Sequence, residues 1–332
     1  MATAQAAIRR AGRSRALRLV ASVTLLAGVA WWASQQQAPQ LPHGRAGFLA
    51  LGIAVLLYGV ATLGRGERWR RLLAGAGAQS STADAYQLTT VGYMGNNILP
   101  ARAGEAMRVF LLAPRARTSR TNVLGTIVAE RTLDVAVLAV LFGVVLATSV
   151  KIPFAVEGAL LVAIVALGLV AATALAGGSR SPLRRWINRP SVVRVVEEVT
   201  LATRSIRGAQ AARLIVLSLL VWIAEAGVYL LASDALGTGL SAPEALAVMV
   251  FANAAALIPA APGYLGTFDA AVILAVHASG ASHGDSVGYL ILLRFLLFIP
   301  ITVAGLAIYM WKYSGWQRLH RRTAVRTEPS EA

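Results

Sequence analysis

Uninterrupted apolar runs of about the length that crosses a lipid bilayer recur along this chain. Six of them are residues 17–34, 46–64, 124–150, 154–176, 214–236 and 286–311. A helix needs roughly 20 apolar residues to cross the hydrocarbon core of a membrane. Charged residues make up 14% of the chain, well below the roughly 25% typical of soluble proteins. The sequence therefore predicts an all-α polytopic membrane protein, with residues 1–332 forming a single integral membrane domain.

The net charge of +16 raises the question of a nucleic-acid partner, because basic chains attract polyanions. The placement of the charge argues against such a partner. Most of the 31 lysines and arginines fall in residues 9–18, 65–120, 180–213 and 312–326. Basic segments between apolar spans mark the cytoplasmic face of a membrane protein and favour contact with anionic lipid. We expect no nucleic-acid partner and a multi-pass protein of a bacterial inner membrane, with both termini cytoplasmic.

Two apolar segments are too interrupted to be simple spans. Residues 83–113 contain polar side chains and a proline, and arginines flank them on both sides. Residues 243–279 are broken by Ile-Pro-Ala-Ala-Pro-Gly at 258–263, and no lysine or arginine occurs from 214 to 289. Non-helical backbone at membrane depth is tolerated where protein or a cavity surrounds it. We predict two re-entrant broken-helix hairpins, the first entering from the cytoplasm and the second from outside.

This layout gives six full spans plus two re-entrant hairpins, or eight hydrophobic segments, with residues 65–71 as a basic cytoplasmic loop. Leu-Pro-Ala-Arg-Ala-Gly at 99–104 aligns with the interruption at 258–263. Each half then holds span, span, hairpin, span, and the odd number of crossings gives the halves opposite orientation. Inverted repeats with interrupted helices are a recurrent transporter design. The predicted halves are residues 17–150 and 154–311, followed by a basic tail at 312–332; chance similarity of Pro- and Gly-containing segments is the alternative.

A first cluster of candidate binding residues surrounds the first interruption. It consists of Asn96, Asn97, Pro100, Arg102, Gly104, Glu105 and Arg108. A proline frees backbone carbonyls, helix N-termini exposed by a break attract anions, and guanidinium groups present planar forks that suit a phosphate. We expect an anion-binding site here. The alternative is a cytoplasmic loop with Glu105 on a solvated helix.

A second cluster lies within the third predicted span and consists of Glu130, Arg131 and Asp134. Glu130 and Asp134 are four residues apart and share one helical face, and Arg131 is placed to pair with Asp134. An ionisable residue inside a membrane is a candidate functional residue because its burial is costly. The alternative is that the three side chains reach the cytoplasmic interface.

A third cluster surrounds the second interruption. It consists of Asn253, Pro259, Pro262, Gly263, Gly266 and Asp269, together with Arg294 on the last span. Arg294 is flanked by apolar residues on both sides, so its guanidinium needs a partner. Asp269 is the first candidate and Glu225 the second. Such a pair could bind substrate, or it could fix the packing and do nothing else.

Signs of catalysis are few. The chain has no cysteine and four scattered histidines, so we expect no metal site. It also contains no phosphate-binding loop of the GxxxxGK[ST] type and no DxD motif. We predict no catalytic residue and no cofactor, although the sequence leaves catalysis open.

Three ordered motifs resemble the lysylphosphatidylglycerol synthase transmembrane-domain family, also called flippase-like. They are Gly-Asn-Asn-Ile-Leu-Pro-Ala-Arg-Ala-Gly-Glu-Ala-Met-Arg at 95–108, Glu-Arg-x-x-Asp at 130–134, and Pro-x-x-Pro-Gly-x-x-Gly-Thr-Phe at 259–268 with Arg294. The resemblance implies translocation of a lipid, which in the namesakes is modified by an attached cytosolic aminoacyl-transferase domain. No such domain is expected after Trp311, so the resemblance implies a stand-alone member. Ala103 and Asp269 depart mildly from relatives that carry a larger aliphatic residue and a glutamate.

Three functions therefore remain open from the sequence. The first is a flippase-like protein that binds and translocates an anionic phospholipid or a lipid-linked intermediate. The second is a membrane glycosyl- or phospholipid transferase, or its accessory subunit, and the third is a lipid-binding scaffold that moves nothing. The expected partners are a membrane lipid and a lipid-modifying enzyme.

Overall fold

A computed structural model describes residues 42, 44–148, 208–257 and 261–313 of the chain. Every regular element within these residues is helical. The first half contains α1 (Gly44–Gly75), α2 (Thr82–Ile98), α3 (Ala103–Leu112) and α4 (Arg120–Ala147). The second half contains α5 (Gly208–Leu236), α6 (Ala242–Ala255), a 3-10 turn (Pro262–Tyr264), α7 (Thr267–Ala278), α8 (His283–Ile308) and a π-helical turn (Tyr309–Tyr313).

Three of these helices are long and apolar enough to cross a membrane. They are Gly44–Gly75, Gly208–Leu236 and His283–Tyr313, the last being α8 with the turn that follows it. Their outward faces carry exposed large apolar side chains such as Leu56, Leu220 and Val303, as lipid contact requires. The all-helical fold predicted from the sequence is confirmed for the described residues. The predicted spans at 17–34 and 154–176, the residue Pro259 and the tail beyond 313 lie outside them.

Capping residues define where several helices begin. The Ser81 and Ser119 hydroxyls each accept a hydrogen bond from a backbone N–H in the first turn of α2 or α4, and Ser282 does the same for α8. Serine is favoured at this position because its oxygen satisfies an otherwise unpaired donor. Each cap follows a short connection that contains glycine or proline, so the sequence separates helices that would otherwise run together.

The prediction of a basic loop at residues 65–71 is wrong, because these residues are helical and α1 continues to Gly75. Arg65 and Arg68 are 4% and 0% exposed rather than solvated. Arg65 pairs with Glu225, and Arg68 lies 2.6 Å from Asp134. Buried guanidinium groups persist when carboxylates neutralise them, and these carboxylates come from helices far away in the sequence.

Helices α2 and α3 form a tight hairpin around the first interruption. A Cβ atom added to Gly104 would overlap the carbonyl oxygen of Gly92 and would lie 2.6 Å from the backbone nitrogen of Asn96. Glycine therefore allows the two backbones to approach more closely than any other residue would. At the other end of the hairpin, Arg115 pairs with Asp84 over 3.2 Å. The chain thus enters and leaves this hairpin at the same end.

Helices α6 and α7 pack against each other around the second interruption. Helix α7 ends at Ala278, a few residues before α8 begins at His283. The opposite end of α8 contacts the start of α2, where Tyr313 donates a hydrogen bond to Asp84 over 3.0 Å. The two hairpins therefore start from opposite ends of α8.

Candidate functional site

A polar cavity of about 90 Å³ lies where the two interruptions meet, and we call it the central cavity. Its lining residues are Tyr58, Arg65, Tyr93, Asn97, Arg102, Arg131, Asp134, Leu138, Trp222, Glu225, Asn253, Ala256, Leu257, Tyr264, Phe268, Leu297 and Phe298. The volume corresponds to about three water molecules. It suits a group about as large as a phosphate, and a bulkier headgroup requires the cavity to widen.

The contacts between the interruptions are direct. Nη2 of Arg102 donates a hydrogen bond to the carbonyl oxygen of Ala256 over 2.6 Å. The guanidinium carbon of Arg102 also lies 5.6 Å from the centre of the Tyr264 ring, within reach of a cation–π contact. A Cβ atom added to Gly263 would lie 3.3 Å from the carbonyl oxygen of Asn97. The first interruption thus packs on the second without intervening side chains at this point.

Both interruptions contain residues in left-handed backbone conformations. Ala101 and Arg102 have φ angles of 53° and 55° in the first, and Gly263 and Tyr264 have 62° and 57° in the second. A non-glycine residue in this region is strained, and such residues cluster at binding and active sites. The strain at Arg102 and Tyr264 falls on two residues that line the central cavity.

Arg68 lies at the centre of a buried charge network behind the cavity. Its Nη1 atom is 2.6 Å from Oδ1 of Asp134 and 3.0 Å from the Ser218 hydroxyl, and its Nη2 atom is 3.3 Å from Oε1 of Glu130. Arg108 donates to the other oxygen of Glu130 over 2.6 Å. Arg68, Arg108 and Glu130 are each at most 1% exposed. These residues fix α1, α3 and α4 relative to one another through charge-assisted hydrogen bonds.

Arg131 connects this network to the first interruption. Its Nε atom lies 3.1 Å from Oε1 of Glu105, and its Nη1 atom lies 3.0 Å from Oδ2 of Asp134. Glu105 is also 3.7 Å from Arg102. The predicted pairing of Arg131 with Asp134 is therefore present, and Glu105 faces Arg102 and Arg131.

Glu225 on α5 holds the opposite wall of the cavity. It pairs with Arg65, and it accepts a hydrogen bond from Nδ2 of Asn253 over 2.9 Å. The guanidinium carbon of Arg65 lies 5.6 Å and 5.4 Å from the ring centres of Tyr58 and Tyr93. These contacts place Arg65 at the boundary between helices from both halves of the chain.

The charges around the cavity do not balance within the described part of the chain. Five arginines line the cavity or lie directly behind it, and four carboxylates face them. The arginines are Arg65, Arg68, Arg102, Arg108 and Arg131; the acids are Glu105, Glu130, Asp134 and Glu225. One positive charge is left over, and burying an uncompensated charge is costly. An anionic group in the cavity removes that imbalance.

Apart from Nε of Arg131, which lies 3.1 Å from Glu105 without forming a hydrogen bond, three buried donors on cavity residues have no hydrogen-bond acceptor within the described ranges. They are Nη1 of Arg65, Nε of Arg102 and Nε1 of Trp222. A buried donor left unpaired costs roughly 1–3 kcal/mol. All three need acceptors, so the ligand they favour is rich in oxygen atoms that accept hydrogen bonds.

Arg294 lies outside the central cavity and has the partner expected from the sequence. Its Nε and Nη2 atoms are 2.6 Å and 2.5 Å from Oδ1 of Asp269. Its Nη1 atom donates to the carbonyl oxygen of Gly263 over 3.2 Å. Asp269 also caps α7 by accepting from the Gly266 N–H over 2.9 Å. Arg294 therefore ties α8 to the second interruption.

The structure distributes the residues predicted as binding residues over three environments. Asn97, Arg102, Arg131, Asp134 and Asn253 line the central cavity, and Asn97, Pro262, Gly263 and Arg294 line a neighbouring groove. Asn96, Gly104, Arg108 and Glu130 are buried behind the cavity, Glu105 and Asp269 bind arginines, and Pro100 and Gly266 are exposed at turns.

Several residues of the cavity and of the charge network behind it were not among those predicted. The sequence pattern predicts a loop for Arg65 and Arg68, and it indicates no role for the aromatic residues Tyr58, Tyr93 and Trp222. A signal for the arginines was present, because no proline occurs between Gly64 and Arg71 and Arg65 and Arg68 lie three residues apart on one helical face. Among the described residues, no cluster of three or more His, Asp or Glu side chains could hold a metal ion.

The fold and the charged cavity define a multi-pass helical membrane protein. The chain belongs to the family described as Lysylphosphatidylglycerol synthase TM region, whose sequence model matches residues 18–305. The resemblance carried by the three sequence motifs is therefore confirmed.

Two curated relatives are similar at low identity. Glycosyltransferase AglD of Haloferax volcanii is 25% identical over 260 residues, which cover 66% of this chain and 41% of that protein. A UPF0104 membrane protein of Methanothermobacter thermautotrophicus is 25% identical over 248 residues, which cover 67% of this chain and 73% of that protein. The chain thus spans less than half the length of the first relative. No solved structure matches the chain.

Proposed function

We propose that this protein binds the phosphate group of an anionic phospholipid or lipid-linked intermediate in the central cavity and moves that lipid across the membrane. The observation that supports this most directly is the excess of one guanidinium over the carboxylates around the cavity. Phosphate supplies the missing negative charge, and its oxygens only accept hydrogen bonds. Guanidinium groups bind it with planar, charge-assisted hydrogen bonds.

Arg102 is the residue we expect to contact the phosphate first. It lines the cavity, its side chain is 20% exposed, and its Nε atom has no acceptor within the described residues. Arg65 and Trp222 offer donors from the opposite wall. Arg131 is linked to Arg102 through Glu105, which pairs with both. Arg294 offers a further guanidinium, nearer to the end of α8 that begins at His283. A phosphate in bare hydrocarbon is very unfavourable, so a path between arginines lowers the barrier to crossing.

The membrane arrangement that we propose has two re-entrant hairpins, α2–α3 and α6–α7, whose tips meet at the cavity. It is supported by their starting from opposite ends of α8 and by the contact of Arg102 with Ala256. In this arrangement residues 17–150 and 154–311 are inverted halves of one domain. The protein is proposed to be a bacterial inner-membrane protein with both termini in the cytoplasm.

A second candidate function comes from the relative named a glycosyltransferase, of which this chain matches 41%. In that case the chain presents a lipid to a glycosyl- or phospholipid-transferring enzyme, as its partner or accessory subunit. The central cavity would then hold the lipid phosphate without moving it across the membrane.

The test is lipid movement in liposomes containing the purified full chain. Fluorescent phosphatidic acid, phosphatidylglycerol and a polyprenyl phosphate would be placed in both leaflets, and an impermeant quencher added outside would report their exchange. We expect faster exchange than in protein-free liposomes. We expect the Arg102→Gln variant to lose at least roughly tenfold of this rate, because it removes the charge that faces the cavity.

Arg117→Gln is the matched control, since Arg117 is an exposed arginine in the connection between α3 and α4. It should exchange lipid at the wild-type rate. Equal rates for Arg102→Gln and the wild type would show that the phosphate does not use this cavity. Lipid binding without exchange would favour the scaffold, and product formation only with an added nucleotide sugar would favour the transferase.

A further inference from the structure

An apolar groove lies beside the central cavity, between α8 and the two interruptions. Its volume is about 640 Å³, and its walls are mainly Ile98, Leu265, Ile291, Phe295, Phe298 and Ile299. Ile98, Phe295 and Ile299 are each about half exposed, at 51%, 53% and 51%. The groove therefore opens onto the apolar outer surface of the protein, where lipid chains are its surroundings.

Two residues line both the groove and the central cavity. Asn97 and Phe298 belong to each lining, so the two spaces are separated by little more than these side chains. Nδ2 of Asn97 donates a hydrogen bond to the Thr302 hydroxyl over 2.9 Å, which holds the amide at this boundary. A polar cavity and an apolar groove thus meet at one point.

Gly263 keeps this boundary thin. A Cβ atom at this position would lie 3.3 Å from the carbonyl oxygen of Asn97 and 3.6 Å from the Phe298 ring. Even an alanine would press on the Asn97 carbonyl and fill the remaining space up to the Phe298 ring. Its φ of 62° also favours glycine.

We propose that the groove holds one hydrocarbon chain of a bilayer lipid whose phosphate lies in the central cavity. The inference rests on the function proposed above and adds how the lipid is held and where it enters. An amphipathic ligand needs an apolar site next to a polar site. Its charged group is unfavourable in an apolar site, and its hydrocarbon chain gains nothing from a polar one. The open side of the groove faces the membrane, so the lipid enters sideways from the bilayer, headgroup towards Asn97 and Phe298.

The test separates the chain from the headgroup by using three phosphates. Glycerol 3-phosphate has no chain, lysophosphatidic acid has one and phosphatidic acid has two. Binding of each radiolabelled ligand would be measured with the full chain in phosphatidylcholine nanodiscs. Partitioning of the lipids into the disc is the same for every variant, so differences between variants report the protein site.

Ile299→Trp is designed to fill the groove, and Val303→Trp is its control. Val303 lies one turn further along α8, is 63% exposed and does not line the groove. We expect Ile299→Trp to weaken binding of lysophosphatidic and phosphatidic acid by roughly tenfold and to leave glycerol 3-phosphate unchanged. Val303→Trp should bind all three as the wild type does.

Wild-type affinity of Ile299→Trp for lysophosphatidic acid would overturn the proposal. The proposal would also be overturned if the wild type and Val303→Trp were dimers and Ile299→Trp were a monomer. In that case the groove would be covered by a second copy of the chain and not by a lipid chain. The Arg102→Gln variant distinguishes failure of the cavity proposal from failure of the groove proposal. If it binds all three phosphates normally, the cavity proposal fails, whereas failure of Ile299→Trp alone removes only the groove.

Discussion

Nη2 of Arg102 donates a hydrogen bond to the carbonyl oxygen of Ala256 over 2.6 Å. Arg102 precedes α3, and Ala256 follows α6, so this bond joins the two interruptions. The last carbonyls of a helix have no partner within the helix, and here a guanidinium supplies one. Because Arg102 also lines the central cavity, admitting a group bulkier than phosphate between the interruptions stretches or breaks this bond. The same side chain therefore holds the cavity closed and offers a donor to its ligand.

The first prediction concerns Arg68, which faces Asp134 and Glu130 with no exposed surface. Arg68→Met should destabilise the protein by about 3–5 kcal/mol, because it removes the fully buried cation between two buried carboxylates and leaves only Arg108 and Arg131 to neutralise them. The loss would be measured as a lower Tm of the purified protein in detergent.

Arg70→Met is the control for Arg68, since it lies on the same helix with its side chain 35% exposed and pairs with Glu67. It should cost no more than about 1 kcal/mol. A double variant, Arg68→Met with Asp134→Leu, should recover part of the loss, because an apolar pair replaces a buried ion pair. Similar losses for the Arg68 and Arg70 variants would mean that the buried network does not stabilise the fold.

Spacing along one helix or around one motif allowed part of this site to be predicted. Arg131 and Asp134 are three residues apart, which places them on one helical face. Arg294 is flanked by apolar residues, so a carboxylate partner near the second interruption could be predicted for it. The roles of Arg65 and Arg68 could not be read in the same way. Their carboxylates are on α4 and α5, and only the packed fold brings them to α1. Run lengths located the apolar helices, but they could not show that α1 continues to Gly75.

The second prediction concerns Gly104, where α2 and α3 approach closely. Gly104→Ala places a methyl group against the backbone of Gly92 and Asn96, and backbone atoms cannot move aside cheaply. We expect a loss of about 1–3 kcal/mol or more, the usual cost of overpacking, measured as a fall in Tm.

Gly52→Ala is the corresponding control, because a Cβ atom there meets nothing within 4 Å and the residue lies within α1. Replacing a helical glycine by alanine should stabilise it by about 0.5–1 kcal/mol. If Gly104→Ala were as stable as Gly52→Ala, the close approach of α2 and α3 would be wrong.

The third prediction separates the shape of Arg294 from its charge. The guanidinium binds Asp269 and the Gly263 carbonyl at once, which a single ammonium group cannot reproduce. Arg294→Ala should cost more than the roughly 1 kcal/mol of an exposed pair and less than the roughly 3–5 kcal/mol of a fully buried one, because the two side chains are 24% and 21% exposed. Arg294→Lys should recover less than half of that loss in Tm. Full recovery by lysine would show that charge alone matters.

The last prediction concerns topology and uses the absence of cysteine from the sequence. Gln79 lies exposed between α1 and α2, and His283 lies exposed at the start of α8. The far end of α8 contacts α2 near its start, through Tyr313 and Asp84. The 26 residues of α8 extend over roughly 39 Å at the rise of an α-helix, which exceeds the roughly 30 Å of the hydrocarbon core. Gln79 and His283 should therefore lie on opposite sides of the membrane.

Single cysteines at these two positions test this arrangement in intact cells. An impermeant maleimide should label the His283→Cys protein from outside, and it should label the Gln79→Cys protein only after the membrane is opened. Both substitutions are at exposed positions, and His283→Cys leaves the Ser282 cap of α8 intact. Labelling of both cysteines from the same side would mean that α8 does not cross the membrane. The two hairpins would then not enter from opposite faces, and the inverted arrangement of the halves would have to be abandoned.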